Sequence, residues 1–495
     1  MQETEKSLET TRVQENENIS LLDGIINATN TYPTDEGYEE TKKGLEVFLS
    51  YLLNSNQDIK VNKDIIDIMI AQIDQKLQNQ LDEILHNKEF KKIESTWRSL
   101  HFLISKTDFN ENIKVDILNV TKEQLLEDFE NSLDITQSAM YNHIYTKEYG
   151  QFGGEPYGLI LGNYEFGPHT QDIITLQNIA KISAMSHAPF ITAASPKFFG
   201  MDDFSQLPNI KDLKSLLDIP QLSKWRDFRN SDDARNIALT LPRFLLRTPY
   251  GDDKPIKSFD YKERAADNND DYLWGNASFA FSANIINSFA NYRWCANIIG
   301  PMGGGDVSDL PKHSYSSMGS SEMKIPTEIL LSERKEFELA NEGFIGLAMR
   351  KGSSNAAFFS ANTVQKAKTF GNTPEGKVAE SNYKLSTQLP YMFIMNRLAH
   401  YIKVIQRENI GTWKGRNELE KELNEWIKSY VSDQENPSQA VRKRRPLRSA
   451  QISVFDVEGD AGWYRVSMKV VPHFKYMGSS FTLSLVSKLD KEQEI

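Results

Sequence analysis

The stretch Gly300-Pro301-Met302-Gly303-Gly304-Gly305-Asp306 is the most site-like sequence in the chain, because glycine-rich backbone can turn its N–H groups toward a phosphate. A phosphate loop also needs a Lys followed by Ser or Thr, and a dinucleotide fingerprint has its own glycine spacing. The stretch has neither, so a tight or flexible turn is the expected use of these glycines, with a nucleotide-binding enzyme at Gly303 to Gly305 as the competing reading. The eight histidines, His86, His101, His143, His169, His187, His313, His400 and His473, are dispersed, and none sits in the close pairs that metal sites use. His101 beside Trp97, and His400 in a helix after Pro390, are expected to be packed or hydrogen-bonded. No Gly-x-Ser-x-Gly elbow offers a serine nucleophile. Glu328, Glu333, Glu336 and Glu338, interleaved with Arg334 and Lys335, read as surface charge or an interface pair. The expectation is therefore no catalytic, cofactor-binding or metal-ligating residue, and no cofactor.

Charge bounds the partners. The 495 residues carry a formal charge of −11, which disfavours a nucleic-acid scaffold, since phosphate binding needs a basic face. The run Arg442-Lys443-Arg444-Arg445 is the local exception and reads either as a complement to an acidic protein surface or as a solvated linker. A single cysteine, Cys295, rules out an intrachain disulfide framework and points to a reducing compartment. The N-terminus lacks the basic and apolar regions of a secretion signal, and no apolar run is long enough to span a bilayer. A soluble cytosolic protein with no direct membrane insertion is expected.

The elements that must position these residues follow from periodicity. Residues 1 to about 35 are polar, with an apolar island at Ile19, Leu21, Leu22, Ile25 and Ile26, and read as an arm that orders against a partner. Leu45, Leu49 and Leu52 mark a first helix. Ile66, Ile70, Ile73, Leu77, Leu81 and Ile84 then recur at steps of three and four, and Phe90, Ile93, Trp97, Leu100 and Ile104 repeat that stripe. Val115 to Val120 predicts a short strand, followed by a helix from Lys122 to Leu133 capped by Thr121. Gly158 to Gly162, Thr170 to Ser186 and Phe190 to Ala194 predict a strand, a helix and a strand, hence a βαβ unit in a partly parallel sheet. Further helices are expected from Ala277 to Ala290, from about Pro390 to a stop at Gly411, and from Leu419 to Val431. Strands are expected near Thr327 to Leu331 and Ala356 to Phe359. At the C-terminus the period changes to two: Ile452, Val454 and Val457, a turn at Glu458 to Gly462, then Tyr464, Val466, Met468 and Val470 predict a hairpin. Phe481, Leu483 and Leu485 add one more strand. Such a terminal sheet either closes on its own domain or offers an edge to another chain. The fold class is α/β with mixed α+β character, divided into an N-terminal arm and linker helix (1–60), a central body (61–385) and C-terminal helices with terminal strands (386–495).

From about Ile65 onward the chain resembles the large subunit of the contractile sheath of bacterial type VI secretion systems, the TssC/VipB family. The resemblance is carried by an ordered series of blocks. These are Thr96-Trp97-Arg98-Ser99-Leu100, Gly154-Glu155-Pro156-Tyr157-Gly158, Gly162-Asn163-Tyr164-Glu165-Phe166, Leu241-Pro242-Arg243-Phe244-Leu245-Leu246-Arg247 and Leu273-Trp274-Gly275-Asn276-Ala277. Glu342-Gly343-Phe344-Ile345, Leu389-Pro390-Tyr391-Met392, Arg397 to Lys403 and Pro472-His473-Phe474 follow in order. Ser99 for the usual Gly, Asn163 for the usual Asp and Ile299 where Arg is common suggest a divergent branch, like that of intracellular pathogens such as Francisella.

The resemblance implies a structural role in a contractile tail-sheath-like fold, not an enzyme. It implies pairing with a small sheath subunit (TssB/VipA-like), assembly with other copies of itself around an inner tube (Hcp-like) on a baseplate, and a place in the bacterial cytoplasm. It further implies exchange of strands between protomers, with Ile452, Val454, Val457, Tyr464, Val466, Met468 and Val470 as the best donors or acceptors. Lys421, Glu422, Glu425, Lys428 and the run Arg442, Lys443, Arg444 and Arg445 lie where the family approaches its inner tube. A soluble adaptor that binds one partner by β-augmentation is the other alternative.

Overall fold

Strand residues of the central sheet alternate between two apolar clusters, and that alternation fixes the architecture. In Ile237–Leu241, Ile237, Leu239 and Leu241 join one cluster while Ala238 joins the other; in Phe344–Met349, Phe344 and Ala348 oppose Ile345 and Leu347. The computed structural model describes residues 38–54, 63–151, 153–251, 259, 261–265, 269–317, 320–349, 355–371, 373–409, 415–432, 434, 437–457, 464–473 and 483–487. The N-terminal arm with its apolar island, the hairpin turn at Glu458 to Gly462, the Gly411 stop and Phe481 lie outside them. The chain divides into two compact units, Met1–Leu77 and Gln78–Ile495. The first contains the helix Tyr38–Asn54 and the beginning of the helix Lys63–Leu85.

In the second unit the strands are β1 (Ile160–Phe166), β2 (Phe190–Ala194), β3 (Ile237–Leu241), β4 (Phe244–Leu245), β5 (Trp274–Gly275), β6 (Asp306–Val307), β7 (His313–Ser317), β8 (Ser320–Lys324), β9 (Phe344–Met349), β10 (Ala356–Phe358), β11 (Leu447–Asp456), β12 (Tyr464–Pro472) and β13 (Leu483–Ser487). The central sheet runs β1-β2-β3-β9-β10-β6, parallel from β1 to β9 and antiparallel at β10 and β6. This is the mixed α/β sheet that the βαβ spacing predicts. The helices Thr170–Ser186 and Ser223–Asn230 supply Leu176, Ile179, Trp225 and Phe228 to one face. The helix Ala277–Tyr292 and the start of the helix Leu389–Glu408 supply Phe281, Ile285, Leu389 and Phe393 to the other. A third cluster lies between the terminal sheet β11-β12-β13 and the helices Leu389–Glu408 and Arg416–Lys428.

Local signals explain several boundaries. The Asn87 side chain accepts from the N–H groups of Glu89 and Phe90, starting the helix Lys88–Ser105. Thr121 and Gln124 form a reciprocal capping box at the helix Lys122–Asn131. Three expectations need correction. Val115 to Val120 joins no ladder; its tie to β1 is a side-chain one, the Tyr164 hydroxyl donating to the Val120 carbonyl at 2.6 Å, and Ile117 and Leu118 are 68% and 53% exposed. Among the described residues the stretch Thr327 to Leu331 forms one bridge, Phe244 to Thr327, with the Glu328 N–H donating to the Arg243 carbonyl at 2.9 Å and the Glu328 carboxylate paired with Arg243, so the contact is too short to make a strand. The stripe on the first long helices is not covered among the described residues, with Ile84, Ile93 and Trp97 at 53%, 59% and 67% exposed.

Candidate assembly interface

The terminal sheet is built from strands whose alternate residues face its own helices. Ile452, Val454, Val466, Met468 and Val470 are all buried, packed in the cluster that includes Leu398, Leu419, Leu423 and Ile427. Ile452 pairs with Met468 and Val454 with Val466, and β12 pairs with β13 from Val466–Ser487 to Val470–Leu483. Tyr464 begins β12, half-buried, whereas Val457 lies one residue beyond the end of β11. The face of this sheet is therefore closed on its own domain, and what it can offer another chain is backbone at its edges.

The two edges differ: among the described residues β13 pairs only with β12, whereas side chains meet the outward groups of β11. On the β11 side, the Asn424 amide accepts from the Ile452 N–H at 3.0 Å and donates to the Ile452 carbonyl at 2.7 Å. Glu420 accepts from the Val454 N–H at 3.0 Å. Two side chains of the helix Arg416–Lys428 thus occupy positions that a neighbouring strand would take. Further along, Leu447 and Ser432 complete the edge through backbone bonds to Tyr430 and Leu447. Sequence reasoning missed Asn424 and Glu420. Their only signal is a polar pair four residues apart beside the apolar stripe of Leu419, Leu423 and Ile427.

The charged candidates separate into two groups. Lys421, Glu425 and Lys428 are exposed and Glu422 is half-buried, on the side of the helix opposite its buried leucines. The basic run is not a linker: it closes the helix Gln439–Arg444, capped by Ser438, where cations suit the C-terminal end of the helix dipole. Arg442, Arg444 and Arg445 are exposed, while Lys443 turns inward, donating to the Tyr292 hydroxyl at 3.1 Å and lying over its ring. The Trp294 indole donates to the Arg444 carbonyl, tying this helix to the body.

The glycine-rich stretch is a folded turn. Gly300 and Gly304 adopt positive φ of 75° and 98°, and a Cβ on Gly303, Gly304 or Gly305 would meet backbone carbonyls at 2.2, 2.2 and 2.5 Å. The N–H groups of Gly300, Gly303 and Gly305 donate to the carbonyls of Phe358, Gly300 and Gly300, so they are not presented to a phosphate. Among the described residues, no three His, Cys, Asp or Glu side chains converge as a metal site. His400 donates from Nε2 to the Ser186 carbonyl at 2.9 Å as a packed residue, but His101 is exposed on its helix. Two carboxylates assigned to the surface are instead buried. Glu328 takes both ends of Arg243 at 2.7 and 2.9 Å, and Glu336 accepts from the Ser360 hydroxyl, with burial raising its carboxyl above the usual range.

The recurring blocks of the sequence meet at such contacts. Arg247 binds Glu94 at 2.8 Å and Glu263 at 2.6 Å, and Arg98 joins Glu94 at 2.7 Å, fastening the helix Lys88–Ser105 to the body. Asn163 donates to Thr96 and accepts from Asn276. These ties join the helix Lys88–Ser105 to β1 and to the start of the helix Ala277–Tyr292.

Comparison with known proteins defines the class of this α/β body and its terminal sheet as a contractile tail sheath. Residues 67–365 match the family model described as EvpB/VC_A0108, tail sheath N-terminal domain, and residues 378–489 match EvpB/VC_A0108, tail sheath gpW/gp25-like domain. The chain belongs to this tail sheath family and is a large subunit of a type VI secretion contractile sheath. It is 40% identical over 449 residues to the type VI secretion system sheath protein TssC1 of Pseudomonas aeruginosa, covering 89% of this chain and 88% of that one. A chain in the cryo-EM structure of the anti-feeding prophage baseplate is a distant likeness, with TM-score 0.34, 8% identity and coverage of 78% and 82%. No helix among the described residues is long and apolar enough to cross a membrane.

Proposed function

We propose that this chain pairs with a small sheath subunit, polymerises with copies of itself around an inner tube on a baseplate in the bacterial cytoplasm, and transmits contraction through exchanged strands. The observation that carries this reading is a terminal sheet fastened by its face to the subunit's own helices, capped along β11 by Asn424 and Glu420, and with β13 paired among the described residues only to β12. Main-chain ladders can hold neighbours together while the globular bodies rotate. The role is mechanical and not enzymatic; the glycine turn at Gly303 to Gly305 serves packing. The domain plan follows: an arm over 1–60, a body over 61–385, and an assembly region over 386–495.

The residues Ile452, Val454, Val457, Tyr464, Val466, Met468 and Val470 hold the exchange sheet in register, most of them from its inner face. Val466→Pro removes a ladder donor and Val454→Pro a donor to Glu420. Each is expected to block sheath assembly while the body stays folded by circular dichroism. Sheaths of normal length that contract normally in either variant would contradict the reading. Lys421, Glu422, Glu425, Lys428, Arg442, Arg444 and Arg445 are proposed as tube-facing charges, with Lys443 in support through Tyr292. Reversing the charges of Lys421 and Lys428 should change the salt dependence of sheath formation around the tube; an unchanged dependence would remove the assignment.

A further inference from the structure

His86 sits in the turn between the helices Lys63–Leu85 and Lys88–Ser105, held between two carboxylates from a distant part of the chain. Its Nε2 lies 3.4 Å from Glu263 Oε1 and its Nδ1 lies 3.7 Å from Asp271 Oδ1. The three side chains are 20%, 1% and 28% exposed, so water competes weakly for these contacts. A neutral imidazole carries one N–H and one lone pair, and the lone pair would face a carboxylate with nothing to offer it. The imidazolium carries two N–H groups, one for each acid. Both ring nitrogens are matched only when the ring is charged, and histidine is the side chain that ordinarily changes charge between about pH 5 and 8.

The acids lie on segments docked against the same turn. One turn of helix before His86, Asp82 accepts from the Tyr261 hydroxyl at 2.7 Å and stands 4.0 Å from Arg264. In the following helix Lys91 donates to the Asp270 carbonyl at 2.5 Å. Glu263 also accepts from Arg247 at 2.6 Å and from the Tyr250 N–H at 2.9 Å, so it stays satisfied whatever the state of His86. Asp271 has no second ion pair among the described residues. Lys91, Arg247 and Asp270 are the other charges that act at this place, with Glu94 beyond Arg247. Loss of the His86 proton therefore falls on Asp271.

We propose that His86 is a proton-operated clasp: the imidazolium binds Glu263 and Asp271 and fixes the turn between the two helices to residues 261–265 and 269–271, and the neutral ring releases Asp271. The helix Lys63–Leu85, which carries the exposed apolar residues Ile70, Ile73, Leu77 and Ile84, is then held at its C-terminal end more firmly below the pH at which His86 titrates than above it. The clasp operates whether or not the chain assembles.

The test is amide hydrogen exchange of the full chain at about pH 6 and about pH 8, expressed as protection after correction for the intrinsic pH dependence of exchange. Protection of residues 82–87 and 269–274 is expected to fall about tenfold from the lower to the higher pH in the wild-type chain. His86→Gln, neutral at both values, is expected to abolish the fall. Asp271→Asn, at a partly exposed residue, carries the same expectation and stands in if His86→Gln does not fold. His400→Gln, at the packed imidazole elsewhere in the body, is expected to leave the fall in place. No fall in the wild-type chain, or an undiminished fall in His86→Gln or in Asp271→Asn, overturns the clasp. Disappearance of the fall in His400→Gln as well assigns it to general loosening of the fold and overturns the proposal.

Discussion

Arg247 stands between two carboxylates, Glu94 and Glu263, and all three are about nine-tenths buried. Removing one member of a buried ionic group leaves charge without its partner, so Arg247→Ala is expected to lower stability by about 3–5 kcal/mol. Urea denaturation of the purified chain measures this, and a loss below about 1 kcal/mol would mean that the group is effectively solvated. The histidines give a pH dependence. Burial lowers His400 to about 4 and His187 to about 3, with Lys403 adding to both effects, from an ordinary value of 6.5. The unfolded chain therefore binds protons that the folded chain refuses. The contribution is intact above pH 6.5 and is lost as pH falls toward 4, by up to about 1.4 kcal/mol per pH unit for each histidine. His400→Gln should make the decline in unfolding midpoint between pH 6.5 and 5 shallower; an unchanged slope would remove His400 from the account. At this scale residue types could be read without their environments. His400 was legible as packed because it sits in a strongly apolar helix, but the burial of Glu328 and Glu336 depends on Arg243 and Ser360, which are remote in sequence from Glu328 or masked by local charge.

Elements were more legible than their surroundings. The βαβ unit could be read because an apolar run, a helical period and a second apolar run occur at crossover spacing, and the terminal hairpin because its period is two. Val115 to Val120 has the same local pattern as a strand but meets β1 through the Tyr164 side chain and not through a backbone ladder. Edge protection was not legible, because it is created by a helix side chain meeting backbone about thirty residues away. Asn424 and Glu420 hold the outward groups of Ile452 and Val454. Replacing both by Ala should cost on the order of 1–3 kcal/mol and expose the β11 edge to nonspecific pairing. Light scattering of the double variant is expected to show concentration-dependent association. A variant as monodisperse and as stable as wild type would contradict the capping role.

At the scale of the whole molecule, two family matches cover the α/β body and the terminal sheet, and the structure joins them through the third apolar cluster. Long-range ties such as Arg247 to Glu94 fasten the helix Lys88–Ser105 to the α/β body, while the terminal sheet buries its inner face and is capped along β11. The ordered blocks of sequence made this role legible where no single motif could, and several of them meet in the fold, as Arg98 and Arg247 do at Glu94 and as Thr96, Asn163 and Asn276 do in one hydrogen-bonded chain. Electron microscopy of the chain coexpressed with its small sheath partner tests the central claim most directly. The account predicts hollow, helically ordered tubes containing both subunits, and their loss in the Val466→Pro variant. Discrete soluble heterodimers with no tubes under any assembly condition would contradict it.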